Sequence, residues 1–135
     1  MIISLNAKKT VRMAALLGFS AVLLGAFGAH GLKAKVSAEM LAIFDTGCRY
    51  HLAHALALLA LTGLAPFLQE KTLGLVSKLW VLGVVIFSGS LYLLALTGIR
   101  RWGVVTPVGG LFLLGGWLTL FLGTVSSKAS KKTKA

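Results

Sequence analysis

The chain has 135 residues, 57% hydrophobic and only 13% charged, with mean hydropathy +0.90 and net charge +11. A soluble domain of this size carries about 25% charged residues and alternates polar with apolar faces, so these values exclude one. The dyad alternation of a transmembrane barrel is also missing, which leaves a polytopic helical membrane protein.

The basic excess, 14 Lys and Arg against Glu39, Asp45 and Glu70, lies in loops and tails beside apolar runs. There it sets orientation and meets lipid headgroups, so the bilayer is the expected partner and nucleic acid is not. A single cysteine, Cys48, rules out an internal disulfide and offers no thiolate cluster.

A basic leader with Lys8, Lys9 and Arg12 precedes the first apolar run, residues 11–29, read as span one. The run is too long for the core of a signal peptide. Ala14, Gly18, Ala21, Gly25 and Gly28 follow a four-three spacing that puts small residues in one stripe, suited to close helix approach in lipid. The stretch Gly25–Leu32 closes this run and is expected to turn out of the membrane around His30.

Ser37 is a plausible N-cap with Glu39 in the first turn, so an interfacial helical segment is expected to run into span two, residues 48–68. Gly63 and Pro66 stop that span. Span three covers residues 79–97. After a tight turn at 98–103, Thr106-Pro107 reads as an N-cap followed by proline at the first helical position. Span four, residues 104–125, carries Gly109, Gly116 and Gly123 seven apart, a second packing stripe. The basic tail 126–135 is expected to be disordered. Leu-Leu-Ala-Leu-Thr-Gly occurs at 58–63 and 93–98, but such a match arises readily by chance in Leu/Ala-rich helices.

The fold class is therefore all-α: residues 1–135 form one integral membrane domain, a polytopic transmembrane four-helix bundle with an interfacial segment between spans one and two. Four spans put both termini on one side. That side holds Lys8, Lys9, Arg12, Lys71, Lys78, Lys128, Lys131, Lys132 and Lys134, against Lys33, Lys35, Arg49, Arg100 and Arg101 opposite, so both termini are expected in the cytoplasm.

At about 1.5 Å of rise per residue, His30 lies roughly 27 Å above Arg12, near the far edge of a hydrocarbon core about 30 Å thick. Counted from the other spans, His54 and Tyr92 each lie roughly 21 Å up, with His51 one turn higher. His30, His51, His54 and Tyr92, with Ser88 and Ser90 just below, form a candidate ligand-binding layer, in which His30, His54 and Tyr92 are expected within a few ångströms of one another. On span two, His51 and His54 share a face with Phe44, Gly47 and Leu58, while Asp45 and Arg49 are placed to pair on the opposite side.

Three roles suit these histidines. As neutral imidazoles they bridge helices by hydrogen bonds that lipid cannot supply. They alternatively line a pocket for a lipid, a quinone-like molecule or another small ligand, or bind a metal or haem. No carboxylate or thiolate clearly completes a metal set, so no metal ligands and no cofactor are assigned. Phosphate loops, zinc-protease helices and nucleophile elbows are missing, and no catalytic residue is assigned.

The residues Gly25–Leu32, Phe44, Thr46, Gly47, Tyr50, His51, His54–Leu58, Phe87–Tyr92, Thr106–Gly110 and Trp117 occur in an order that resembles the YgdD/YwdK-like family of small four-span inner-membrane proteins of unknown function. The resemblance covers roughly residues 11–122. It implies four spans in a bacterial inner membrane and carries no established activity. The function expected is that of a non-enzymatic accessory, assembly or lipid-interacting component, with a homo-oligomer or a membrane complex as possible partners. The alternatives are an oligomeric carrier of lipid or small solutes and a histidine-based metal or redox subunit.

Overall fold

The computed structural model describes the backbone of residues 5–132 and the side chains of residues 5–124. Four long helices follow one another: α1 (Leu5–Ala26), continued by a π-helical segment Phe27–Leu32; α2 (Ala38–Gly63), followed by a 3-10 turn Ala65–Phe67; α3 (Glu70–Thr97); and α4 (Arg101–Lys132). Among the described residues three stretches are long and apolar enough to cross a membrane, Leu5–Leu32, Glu70–Thr97 and Arg101–Thr124. Helix α2 has 26 residues, about 39 Å of rise, but Arg49, His51 and His54 dilute its apolar character.

The helix boundaries differ from the sequence reading in three places and agree with it in one. The first helix does not end in a turn at His30: Gly25–Leu32 stays helical, widening into the π segment. Its glycines make room for rings, since a Cβ on Gly28 would lie 3.0 Å from the Phe44 ring and one on Gly31 would lie 2.9 Å from that of Phe27. Second, as expected, the helical segment that starts at Ala38 runs on without a break, as one helix to Gly63. Its start is the anticipated cap, with the Ser37 hydroxyl accepting the Met40 N–H at 3.2 Å.

Third, Thr106-Pro107 is no helix start. Gly98 ends α3 in the left-handed region at φ 68°, and its N–H donates to the Leu94 carbonyl. The Trp102 and Gly103 N–H groups then bond back to Ile99 and Arg100, so α4 is already wound before Pro107. Thr106 instead turns its hydroxyl to Ser90, at 2.7 Å, and to the Trp102 carbonyl one turn back. Fourth, α4 runs on to Lys132, so the first part of the basic tail continues the helix, and residues 133–135 lie outside the described residues.

Helices α1, α2 and α3 pack as a triangle, and α4 packs chiefly on α3. Helices α1 and α3 run parallel and level. The Asn6 N–H donates to Glu70 Oε1 at 3.1 Å, and deeper in, the Thr10 and Ser77 hydroxyls bond at 3.0 Å.

The α4 glycines seat α3. A Cβ on Gly109 would strike the backbone of Phe87, one on Gly116 would strike the Trp80 ring, and one on Gly123 would lie 2.5 Å from Thr72 Cγ2. The α1 stripe is only half as described. Its bundle face is Ala7, Thr10, Ala14, Leu17, Ala21 and Gly28, a three-and-four repeat, whereas Gly18 and Gly25 meet open space. A stripe drawn through every small residue is wider than one packing face, and only its Ala14–Ala21–Gly28 line points inward.

The apolar interior falls into two clusters. The larger gathers Leu58, Leu61, Leu73, Val76, Trp80 and Val84 near the start of α3. The smaller centres on Leu32, Phe44 and Ala95 near its end. His51 and His54 on α2 and Ser88 and Ser90 on α3 lie between these two clusters, whereas the buried Ser77 lies among the residues of the larger one.

Candidate functional site

His51 and His54 are both buried, at 5% and 6% exposure, on the face of α2 that also buries Phe44, Gly47 and Leu58. Asp45 and Arg49 pair on the outer face at 2.5 Å, as a four-residue helical spacing allows.

His54 has a determined hydrogen-bonding state. Its Nδ1 lies 2.9 Å from the Tyr50 carbonyl, which only accepts, so Nδ1 carries the proton. Nε2 is then the acceptor, and the Trp117 indole N–H donates to it at 3.1 Å. A neutral imidazole has one donor and one acceptor, and both are used. The ring stands edge-on to Trp80 and Trp117, with centroids 5.9 and 6.1 Å away, and stacks on Tyr50.

His51 sits in a longer chain. Nε2 lies 3.2 Å from Ser20 Oγ on α1, and Nδ1 lies 3.1 Å from the Tyr92 hydroxyl on α3. Ser20 donates its proton to the Leu16 carbonyl at 2.9 Å, so its oxygen accepts from Nε2–H. Nδ1 in turn accepts from the Tyr92 hydroxyl. The chain thus links α3, α2 and α1 and ends on a backbone carbonyl.

Ser88, 1% exposed, donates to the Gly47 carbonyl at 2.8 Å and ties α3 to α2. Gly47 is bare because a Cβ there would lie 2.8 Å from the Tyr92 ring. Ser90 ties α3 to α4 through Thr106. All four helices are stitched at this level, and each of the buried histidines bridges two or more of them.

The grouping differs from the expected one in two respects. Tyr92 pairs with His51 and not with His54. His30 is exposed on the π segment and joins none of these bonds. A layer inferred from depth alone places side chains at a height, but direction around the helix decides which of them meet.

The sequence reading missed Trp117, Trp80 and Ser20 as partners. Trp117 lies 63 positions from His54 on a half-exposed flank of α4, where no periodic pattern marks it. Ser20 does carry a signal, as a hydroxyl within an otherwise apolar span.

Two cavities open beside the helices. One, about 440 Å³, lies between the end of α1 and the start of α2, with Lys33, Asp45 and Cys48 among its lining. The other, about 470 Å³, lies between α1 and α3 at their N-terminal ends. His30, His51, His54, Tyr92, Ser88 and Ser90 line neither. Among the described residues no three of His, Cys, Asp and Glu gather as a metal-binding set.

Residues 24–110 match the family model described as "Protein of unknown function (DUF423)". The UPF0382 membrane protein SSP2132 of Staphylococcus saprophyticus is 44% identical over 117 residues, covering 87% of this chain and 97% of the relative. A UPF0382 membrane protein of Haemophilus influenzae is 40% identical over 121 residues, covering 90% and 97%. The inner membrane protein YgdD of Escherichia coli K12 is 43% identical over 123 residues, covering 85% and 88%. No solved structure matches. The matched segment holds all six residues of the expected layer, while Trp117 lies beyond it.

Proposed function

The chain belongs to the DUF423 family of membrane proteins, and from that premise we propose a non-enzymatic component of the bacterial inner membrane. It acts through its lipid-facing and end surfaces as an accessory, assembly or lipid-interacting protein. The observation that carries this reading is the saturation of both buried histidines by bonds within the chain. An imidazole whose two nitrogens are already engaged is a cross-brace. In this arrangement it offers no free nitrogen to a substrate or a metal.

The level ends of α1 and α3 support four crossings. If both helices cross in the same direction, α2 must bring the chain back over the same distance, and its roughly 39 Å suffices. Its histidines and serines are tolerable in lipid because they face the bundle and are bonded there, while Asp45 and Arg49 pair near its outer end. Four crossings and the basic bias favour both termini in the cytoplasm.

The test is gentle purification and native mass spectrometry of the wild type, His51→Leu and His54→Leu. The expected result is lowered thermal stability with the same co-purifying lipids, metals and proteins. Loss of a bound species at unchanged stability would make the histidine level a binding site.

A further inference from the structure

The cavity between α1 and α3 is a groove of about 470 Å³ whose rim holds Lys9, Arg12 and Lys78 and whose floor holds Met13, Val81 and Leu82. The Thr10–Ser77 bond puts the two helices in register here, so Arg12 and Lys78 stand at one level. On each helix this cation is the last charge before a long neutral stretch: no Lys, Arg, Asp or Glu occurs between Arg12 and Lys33, or between Lys78 and Arg100. The cations thus mark the boundary between headgroups and hydrocarbon, and the apolar floor continues below them into the chain region.

Among the described residues none of these cations forms an ion pair, although the Glu70 carboxylate stands at the same end, beside Asn6. The chain has three acidic side chains. Asp45 is paired with Arg49, Glu39 lies in the first turn of α2 at the opposite end, and Glu70 accepts the Asn6 N–H. The sole ion pair among the described residues is Asp45–Arg49.

We propose that this groove is a binding site for an anionic phospholipid, with the phosphate held by Arg12, Lys78 and Lys9 and an acyl chain lying on Met13, Val81 and Leu82. Charge complementarity selects an anion, and the adjoining apolar floor at hydrocarbon depth selects one that carries a tail. The guanidinium of Arg12 supplies two parallel donors for phosphate oxygens, and the two ammonium groups add point charges. A zwitterionic lipid brings its own cation to the same rim and is disfavoured. The site rests on the membrane-embedded reading above and on no other part of it.

The test measures retention of phosphatidylglycerol against phosphatidylcholine, by native mass spectrometry of protein released from vesicles containing both. The wild type should retain phosphatidylglycerol preferentially. Arg12→Gln and Lys78→Gln should each lower that retention about fivefold, and the double variant about twenty-fivefold. Leu82→Gln should lower it as well, because it removes part of the floor without touching a charge. Lys8→Gln removes an equal charge at the same helix end outside the groove and should change nothing. All these side chains are exposed, so the variants should fold. Equal loss in Lys8→Gln, or undiminished retention in the double variant, would overturn the site. Displacement by millimolar inorganic phosphate would overturn the lipid assignment in favour of a free-anion site. Alkaline extraction of the wild type checks membrane embedding separately: protein that stays embedded yet shows no lipid preference refutes the groove alone.

Discussion

The indole N–H of Trp117 donates to Nε2 of His54 at 3.1 Å, joining α4 to α2 across 63 positions of sequence. Helix α4 otherwise packs mainly on α3, so this bond is a specific tie between the outlying helix and the triangle. Trp117→Phe keeps an aromatic ring and removes the donor, leaving an unpaired acceptor on a residue only 6% exposed. A loss of about 1–3 kcal/mol is expected on unfolding in detergent. A double-mutant cycle with His54→Leu should recover part of that loss, because the orphaned nitrogen is then gone. Strictly additive effects would show that the bond carries no energy.

Glycines on α4 and α1 should respond in opposite ways. Gly109→Ala drives a methyl into the Phe87 backbone, which cannot swing aside, so a loss of about 1–3 kcal/mol is expected. Gly18→Ala meets nothing within 4 Å and removes a flexible residue from a helix interior. It should be neutral or stabilising by up to about 1 kcal/mol. Equal thermal shifts for the two would refute the seam.

Tyr92→Phe deletes the hydroxyl that donates to His51 Nδ1. The ring keeps its packing on Phe44, 4.8 Å between centroids, so the change isolates the hydrogen bond. A loss of about 1 kcal/mol is expected by denaturant unfolding. Ser20→Ala cuts the same chain at its other end, and the two changes together should cost less than their sum. Independent effects would show that the chain does not act as a unit.

The proposed four crossings, with α1 and α3 running in the same direction and the basic bias inside, set the expected topology. Reporter fusions at the C-terminus and within 69–70 should both read cytoplasmic, and a fusion within 33–37 should read external. A membrane-impermeant thiol reagent applied from the cytoplasmic side should label Cys48 poorly. An external C-terminus would mean three crossings, with α2 lying outside the hydrocarbon core.

Composition and apolar run length were enough to establish an all-helical membrane protein, because a bilayer leaves the backbone few ways to satisfy its polar groups. Local signals worked where the cause is local. The Ser37 cap depends only on the next helical turn, the Asp45–Arg49 pair on a spacing of four, and the inward face of α2 on its own periodicity. Helix ends were legible only in part: Thr106-Pro107 has the chemistry of a start, yet the turn after Gly98 winds α4 earlier and leaves the proline inside. The glycine line of α4 was plain because its repeat of seven keeps it on one face. The small residues of α1 spread over two faces, and only contact with α2 and α3 selected Ala14, Ala21 and Gly28 over Gly18 and Gly25. The histidine level was legible as a depth, since rise per residue is constant. Which groups meet within it was decided by the tertiary structure alone. A hydrogen bond needs about 3 Å and a direction, and the rotation of each helix about its axis brought Tyr92 to His51, brought Trp117 to His54, and left His30 outside.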